Sequence, residues 1–280
     1  MSNADQIEYW NGKVGETWVR MQDRMDHALT PVTGALLSLA APQPGEHIVD
    51  IGCGGGETTL ALASAAGEDG LVIGIDISAP LLARARERAD ELMSDADFRN
   101  ADASTFDAEA AAFDLLVSRF GVMFFDDPVA AFANLFRLAR PGARLCFACW
   151  QPASDNLWAT LPLQLLADVL PTQPPADPHA PGPFAFADPE YTGAILSEAG
   201  WQNIAFHALP FDMVMGEGDD PIAAAVQFAL RIGPAARAVR DAGPDVEAIA
   251  QVRLAKAFAG YLADGHVALP AAVWLVSAEA

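Results

Sequence analysis

Residues 48–63 read I-V-D-I-G-C-G-G-G-E-T-T-L-A-L-A, and residues 72–76 read V-I-G-I-D. The apolar run that begins at Ile48 predicts a buried strand, and the glycines that follow it predict a tight turn. A stretch of helix length and a second apolar strand come next. The segment therefore predicts a strand–turn–helix–strand unit with two parallel strands.

Each part of this unit has a separate role in holding a ligand. Gly52, Gly54 and Gly56 have no Cβ, so the turn can take positive φ values and bring bare backbone against a ligand. The next helix directs its N-terminal amides and positive dipole end into the same crevice. Asp76 ends the second strand, where its two oxygens could accept hydrogen bonds from both hydroxyls of a ribose. The unit predicts a nucleoside cofactor.

The glycine spacing narrows the choice of nucleoside. A dinucleotide fingerprint is G-x-G-x-x-G, whereas here Asp50 stands two residues before G-x-G-x-G. The pattern resembles motif I of the class I S-adenosylmethionine-dependent methyltransferases. A carboxylate would repel a pyrophosphate but attract the ammonium of a methionine. S-adenosyl-L-methionine, with S-adenosyl-L-homocysteine as product, is therefore favoured over a dinucleotide.

Two later pairs of residues resemble the same family. Asp76 and Ile77 lie one crossover helix beyond the glycines. Asp102 and Ala103 follow a short strand, and in the family an acid here accepts from the adenine amino group while the next N–H reaches a ring nitrogen. The resemblance implies that these pairs hold the ribose and the adenine.

Ser118 and Arg119 close an apolar strand that resembles motif IV of the family. In the family, backbone carbonyls at the end of this strand accept from the methionine ammonium. The complete predicted cofactor site is Asp50, Gly52, Cys53, Gly54, Gly56, Asp76, Ile77, Asp102, Ala103, Ser118 and Arg119.

The resemblance spans about residues 45–150 and is strongest to the small-molecule group named after ubiquinone and menaquinone biosynthesis. It implies an α/β fold with a Rossmann-like, seven-stranded, mostly parallel sheet whose last strand is antiparallel. Alternating strand and helix signals agree with this fold. The predicted strands are 47–51, 72–76, 97–99, 113–118, 143–149, 203–209 and 273–278, and the predicted core helices are 57–66, 79–93, 128–139 and 189–199.

One methyltransferase domain is predicted over residues 1–280, with three additions to the 45–150 core. They are an N-terminal helical cap (1–40), a proline-rich lid (151–188) with one helix near 158–170, and a helical insertion (210–270) with helices near 221–232, 234–241 and 246–262. The insertion is either a cap over the acceptor pocket or extra core and a subunit interface. We favour the cap, because ligands in open α/β sheets bind outside the carboxyl ends of the strands.

The overall charge and composition exclude several classes of protein. A formal net charge of −21 without a basic cluster disfavours nucleic acid, and makes an RNA methyltransferase a poor alternative. No apolar run approaches the roughly 18 residues of a membrane span. The N-terminus has neither a basic n-region nor an apolar h-region, so a cytoplasmic location without membrane contact is expected.

The three cysteines fit a reducing compartment. Cys146 and Cys149 form C-x-x-C, but they lie in a predicted strand, where residues three apart face opposite sides. A redox pair or metal site is therefore not expected there, and no cluster elsewhere requires a metal. Cys53, inside the glycine turn, could touch the cofactor.

Aromatic residues from two regions predict the acceptor pocket. They suggest an uncharged or aromatic small-molecule acceptor, although ordinary packing of helix on sheet explains each one equally well, and a homo-oligomer is compatible with the pattern. The predicted acceptor residues are Tyr9, Trp10, Trp18, Phe120, Met123 and Phe124.

The predicted reaction is transfer of a methyl group to an oxygen, nitrogen or carbon of a small organic metabolite. Alignment of the reactants can supply most of the acceleration, so no dedicated catalytic residue is required. His27, Tyr9 and Asp26 are comparable candidates for a general base, and the catalytic role stays unassigned. The alternatives are a non-catalytic regulator that binds an S-adenosyl ligand and an NAD(P)-dependent oxidoreductase.

Overall fold

The computed structural model describes residues 3–171 and 177–280. Within them the chain forms one mixed sheet with helices on its faces. The sheet comprises β1 (His47–Ile51), β2 (Leu71–Asp76), β3 (Asp97–Asn100), β4 (Phe113–Arg119), β5 (Ala139–Trp150), β6 (Gln202–Gly216), β7 (Leu262–Ala263) and β8 (His266–Glu279).

The helices fall into the predicted groups, and the core helices follow the strands as expected for parallel crossovers. For example, Ser78 caps α5, as its Oγ accepts from the N–H of Leu81. The helices are α1 (Asn3–Asn11), α2 (Lys13–Ala28), α3 (Thr30–Ala40), α4 (Glu57–Ala66), α5 (Ala79–Leu92), α6 (Pro128–Leu138), α7 (Leu157–Leu165), α8 (Pro189–Glu198), α9 (Pro221–Ala229), α10 (Pro234–Ala242) and α11 (Pro244–Phe258).

The strand order is β3-β2-β1-β4-β5-β8-β6, with the short β7 paired to β8. Strands β1 to β5 are parallel, and β8 is antiparallel to both β5 and β6. This order confirms the predicted Rossmann-like sheet with its antiparallel last strand. Because β1, β2 and β4 are parallel neighbours, the segments that follow them meet at one edge of the sheet.

The last two long strands extend well beyond their predicted ends. β6 has 15 residues and β8 has 14, so both ends of the predicted 210–270 insertion belong to the sheet. The helical part spans α9 to α11. The sequence signal was period two: Met213 and Met215 are buried, while Asp212 is exposed and Val214, between the two methionines, is partly exposed.

The predicted helix stop at residues 140–142 is also part of a strand. β5 begins at Ala139, directly after α6, and Gly142 donates its N–H to the carbonyl of Ala280. Pro141 and Gly142 therefore lie at the exposed start of β5. The N–H of Gly142 is satisfied by Ala280 and not by a turn.

The N-terminal helices and the insertion approach the same edge of the sheet. α2 contacts α5 on one side and β6 on the other, so it crosses the carboxyl ends of the central strands. α9 packs on β6, and α10 and α11 pack on α7. The two additions therefore lie close together, while the domain boundaries themselves stay a prediction.

The proline-rich segment is described only in part. Residues 172–176, which include the predicted lid prolines Pro174 and Pro175, lie outside the described residues. The remainder is attached to the core: Gly182 donates its N–H to the carbonyl of Met123, and the Trp274 indole donates to the carbonyl of Ala187.

No single described helix is long and apolar enough to cross a membrane. Only α9 and α10 taken together reach that length and composition, and they are bent by 79° relative to one another.

Candidate cofactor-binding site

The glycine turn adopts a backbone that side chains would disfavour. Gly52, Gly54 and Gly56 have φ values of +65°, +53° and +84°. These angles lie in the left-handed region that glycine adopts without steric cost. Among the described residues, no atom comes within 4 Å of a Cβ built on Gly54, so the middle of the turn has room for a ligand.

The start of the turn touches the loop after β4, backbone against backbone. A Cβ on Gly52 would lie 2.6 Å from Cα of Gly121, and a Cβ on Gly121 would lie 2.7 Å from Cα of Gly52. Ser118 joins the same two segments, since its Oγ donates to the carbonyl of Ile51 (2.7 Å) and accepts from the N–H of Gly121 (3.0 Å). The serine side chain thus holds the two loops together.

We expect Gly121→Ala to destabilise the protein by about 1–3 kcal/mol, because the new methyl group would meet rigid backbone on two sides. Gly34→Ala is the matched control. Gly34 lies inside α3 with open space around it, so alanine should stabilise the helix by about 0.5–1 kcal/mol. Urea unfolding of both variants measures the difference. Equal midpoints for Gly121→Ala and wild type would contradict the close approach.

Asp76 is oriented by the backbone around it. Its Oδ2 accepts from the N–H of Gly54 (2.8 Å) and its Oδ1 from the N–H of Ser78 (2.7 Å). Burial raises the pKa of this carboxyl group, and these N–H donors oppose the rise. A carboxylate has about four lone-pair positions. The fixed Asp76 therefore retains acceptor capacity for a diol.

Asp50 is fully buried at the end of β1. One oxygen, Oδ2, accepts from the hydroxyl of Thr59 (2.7 Å), whereas Oδ1 has no hydrogen-bond partner among the described residues. Burial raises the pKa of Asp50 to about 7, and the hydroxyl of Thr59 and the charge of Arg119 oppose the rise. A buried oxygen without a donor is unfavourable unless a ligand supplies one. Asp50 thus fits a cationic donor group in the crevice.

Cys53 contributes to this region in a different way from the prediction. Its side chain packs inward, against Gly74 and in a buried cluster with Phe98 and Leu82. Burial raises the pKa of the thiol well above its ordinary value. Only the backbone of Cys53 faces the turn as a potential ligand contact, because the thiol belongs to the packing beneath α4 and α5.

The predicted adenine residues form a local turn after β3. The Oδ1 of Asp102 accepts from both the N–H (2.9 Å) and the hydroxyl (2.7 Å) of Ser104. Ala103 is buried, and its carbonyl accepts from the amide of Asn134 (3.2 Å). These bonds fix the loop in place, and its adenine contacts stay a prediction.

The first helix docks on the loop that follows Asp76. The amide of Asn11 donates to the carbonyl of Ile77 (2.8 Å) and accepts from the N–H of Ala79 (2.9 Å). The hydroxyl of Ser78 donates to the carbonyl of Trp10 (2.9 Å). Sequence reasoning missed Asn11. The only signal in the sequence was that Asn11 directly follows Tyr9 and Trp10 in the predicted N-terminal helical cap.

A second group lies on α2, where sequence reasoning missed Gln22 and named Asp26 only as a candidate base. Gln22 and Asp26 are one helical turn apart, and their side chains hydrogen-bond to each other (2.8 Å). A Cβ on Gly55 would lie 2.5 Å from Cδ of Gln22, so α2 lies directly on the glycine turn. Arg119 reaches Asp26 with its guanidinium (2.8 Å). The predicted role of Arg119 concerned its carbonyl, whereas its side chain joins α2 to β4.

The predicted acceptor residues separate into three environments. Trp10 packs edge to face with Tyr9, Trp18 and Phe124, at centroid distances of 5.5, 5.4 and 5.7 Å. The other two lie elsewhere. Phe120 has a φ of +69° and stacks on Trp150 at 4.6 Å, and Met123 is buried in the core. The place of Met123 in the acceptor pocket stays a prediction.

Tyr9 also borders a cleft of about 410 Å³ between α1 and α10, whose other lining residues are Asp5, Glu8 and Arg237. The insertion thus contributes a wall next to the aromatic cluster. Arg237 of the insertion therefore lies beside Tyr9, a predicted acceptor residue.

The candidate bases are not equally placed. The imidazole Nε2 of His27 lies 3.2 Å from Oε2 of Glu217, and both side chains are half exposed. Asp26 is engaged by two arginines. Neither arrangement marks a proton acceptor next to the glycine turn, and the catalytic role stays unassigned.

The cysteines of the C-x-x-C pair are buried in β5 and free of disulfides. Burial raises the pKa of Cys146 to about 11 and raises that of Cys149 further. Both thiols are protonated at neutral pH, which makes them poor nucleophiles. In residues 3–171 and 177–280, no group of three or more His, Cys, Asp or Glu side chains could hold a metal ion.

Comparison with known proteins identifies the domain around the glycine turn. Residues 48–142 match the family described as methyltransferase domain. The chain is 34% identical over 141 residues to nocamycin O-methyltransferase of Saccharothrix syringae, covering 50% of each protein. It is 34% identical over 119 residues to aklanonic acid methyltransferase DauC of Streptomyces sp. strain C5, covering 42% of this chain and 54% of that protein. Residues 48–142 are therefore similar to a methyltransferase domain, and membership of the whole chain in the class I S-adenosylmethionine-dependent methyltransferases stays a prediction.

The chain spans about half the length of these curated relatives, so the match concerns the segment around the glycine turn and leaves the acceptor open. Phosphoethanolamine N-methyltransferase 2 of Haemonchus contortus, solved with S-adenosyl-L-methionine, shares the fold of this chain. The TM-score is 0.53 at 17% identity, over 89% of this chain and 52% of that one. The finer assignment to the ubiquinone and menaquinone group stays a prediction.

Proposed function

We infer that this protein is a methyltransferase that transfers the methyl group of S-adenosyl-L-methionine to a small organic acceptor. The observation that supports this function most strongly is the pair of acids, Asp50 and Asp76, at the two sides of the glycine turn. Asp50 is buried with an unpartnered oxygen, and Asp76 is held by two backbone N–H groups. The first fits an ammonium and the second a ribose diol, which lie on opposite sides of the sulfonium in that cofactor.

The bound cofactor supplies an electrophilic methyl group on a sulfonium. On the resemblance, we propose Asp102 and Ala103 for the adenine and the carbonyls of Ser118 and Arg119 for the ammonium. The side-chain hydrogen bonds at Asp102 and Ser118 support this assignment, because they fix the loops that carry those groups.

An aromatic or uncharged small molecule is the acceptor class that the residues favour. Tyr9, Trp10, Trp18 and Phe124 form a continuous aromatic cluster beside the crevice, and Tyr9 also borders an open cleft at the protein surface. Nocamycin O-methyltransferase and aklanonic acid methyltransferase DauC are both named for small organic compounds, and the first name specifies oxygen. We therefore favour an oxygen acceptor.

The chain's own contribution to the reaction is alignment and exclusion of water. Helix α2 lies over the glycine turn through Gln22, and α1 is fastened to the loop after β2 through Asn11. Orientation of two reactants is worth roughly 7–11 kcal/mol in favourable cases. We extend this role to the helical insertion, whose Arg237 faces the cleft at Tyr9, and interpret the insertion as a cap on the acceptor side.

Two measurements test this function in sequence. Calorimetry should give S-adenosyl-L-methionine binding by the wild-type protein, and a protein without measurable affinity would refute the proposal. Methyl-labelled cofactor should then label a phenol or hydroxylated aromatic acid from a panel or a metabolite extract. Binding without transfer to any compound would instead support a non-catalytic regulator.

A further inference from the structure

The face of α2 that lies on the glycine turn carries three residues at helical spacing: Trp18, Gln22 and Asp26. Trp18 belongs to the aromatic cluster, and Gln22 lies against Gly55. Asp26 is unusual for an acid on a helix close to the surface, because its side chain is only 10% exposed. One helix face therefore borders the predicted acceptor region and the cofactor turn together.

Asp26 is the centre of a polar cluster that joins three parts of the chain. Its Oδ1 accepts from Nη2 of Arg119 (2.8 Å), and its Oδ2 accepts from Nη1 of Arg88 (3.0 Å) and from the amide of Gln22 (2.8 Å). We call Gln22, Asp26, Arg88 and Arg119 the Asp26 cluster. The partners of Asp26 come from α2 itself, α5 and the end of β4.

Arg88 is anchored at the glycine turn, and Arg119 is anchored on α3. Nη1 of Arg88 donates to the carbonyl of Gly55 (2.9 Å), and its Nη2 pairs with the carboxylate of Glu57 at the start of α4. Arg119 donates through Nη1 to the hydroxyl of Thr33 (2.8 Å). Arg88 is therefore bound to the glycine turn itself, and Asp26 is the group through which α2 holds it.

The charges of the Asp26 cluster and Glu57 indicate that this region holds α2 in place and does not bind an anion. Arg88 and Arg119 supply two positive charges, and Asp26 and Glu57 supply two negative charges at hydrogen-bonding distance. A balanced cluster has little net attraction for a carboxylate. The side chains of Arg119 and Arg88 are only 13% and 16% exposed, so solvent screens their pairing with Asp26 weakly.

We propose that Asp26 is a positioning residue which, through Arg88 and Arg119, fastens α2 over the glycine turn and sets the rate at which the bound cofactor leaves. This inference rests on the proposed function. Release of a ligand held in the turn requires α2 to lift from Gly55, and lifting separates Asp26 from both arginines. Removal of one partner of a poorly solvated charge pair mainly accelerates dissociation.

The decisive variant is Asp26→Asn in the full chain, which keeps the shape of the side chain and removes its charge. We expect S-adenosyl-L-homocysteine, followed by tryptophan fluorescence in stopped flow, to dissociate at least about tenfold faster than from wild type. In the ligand-free variant, the amides of α2 should exchange hydrogen faster than in wild type. Asp23→Asn, an exposed acid of the same helix, is the matched control and should leave both readouts at wild-type values.

A purely structural role for Asp26 would lower the melting temperature without changing the dissociation rate of the folded complex, and that outcome overturns the inference. Restoration of slow dissociation by Asp26→Glu, which restores the charge, supports it. A wild-type protein with no affinity for the ligand refutes the proposed function, and the inference with it. A wild-type protein that binds, with an Asp26→Asn variant that releases at the same rate, refutes the inference alone.

Discussion

Asp76→Ala should weaken S-adenosyl-L-methionine binding by at least about 100-fold. Two losses contribute. The ribose loses a charged acceptor, and a hydrogen bond to a charged group contributes about 1.5–3 kcal/mol. The N–H groups of Gly54 and Ser78 lose the carboxylate that now holds them, so the turn itself becomes less ordered. Isothermal titration calorimetry at neutral pH measures the change in Kd.

Asp69→Ala is the control for this variant, because Asp69 is an exposed acid in the turn before the same strand. It should bind the cofactor with wild-type affinity. The affinity of Asp76→Asn for the cofactor should lie between those of Asp76→Ala and Asp69→Ala. The asparagine retains one acceptor oxygen, which can serve either the turn or the ribose. A Kd for Asp76→Ala within a few-fold of wild type, in a protein that unfolds cooperatively, would remove Asp76 from the site and with it the main argument for a nucleoside.

The second large effect is a pH dependence of cofactor binding that originates in Asp50. In the ligand-free protein, burial raises the pKa of Asp50 to about 7. An ammonium group beside the unpartnered oxygen would favour the ionised carboxylate. Binding below this pKa must then release a proton, and the affinity should fall by about tenfold for each pH unit below about 7.

Calorimetry at pH 6 in buffers of different ionisation enthalpy counts this proton directly. Wild type should release about one proton on binding, since Asp50 is mostly protonated at that pH. Asp50→Asn should bind more weakly at pH 8 and show neither the proton release nor the steep pH dependence. An equal release of protons by wild type and Asp50→Asn would place the linkage on another group.

The raised pKa of Asp50 also affects the stability of the ligand-free protein, which should fall as the pH rises, whereas the affinity for the cofactor should increase. The ordinary pKa of Asp50 is 3.8, whereas its folded value is about 7, so the folded state holds an extra proton between these pH values. The stabilisation from that proton is complete below the lower value and is lost as the pH rises towards the upper one. Asp50→Asn should therefore lack this component, and urea unfolding of both proteins from pH 4 to pH 8 measures the difference.

Predictions from the sequence were most accurate where short-range rules apply. Strands β1 to β4 lie within one or two residues of their predicted positions, because a buried apolar run between turn residues has few alternatives. The extended β6 was missed although its alternating residues, such as Met213 and Met215, carried the signal. The strand was predicted only for residues 203–209, and the residues after 210 were assigned to the helical insertion.

The contacts of α2 could not be read from the sequence. Asp26 meets Arg88, 62 residues away, and Arg119, 93 residues away, and no periodicity relates such positions. The inward direction of the Cys53 side chain and the burial of Met123 were equally invisible, because both depend on which face of a turn the neighbouring elements cover.

The order and spacing of its residues alone determined that this chain forms a parallel sheet with a glycine-rich turn and an acid at each side of it. Those features follow from local backbone preferences and from the side-chain period of strands and helices. Only the tertiary structure decided that α2 is fastened over that turn and that Asp50 keeps an unpartnered oxygen. Both depend on the packing of segments far apart in the chain, which sets burial, hydrogen bonding and charge pairing.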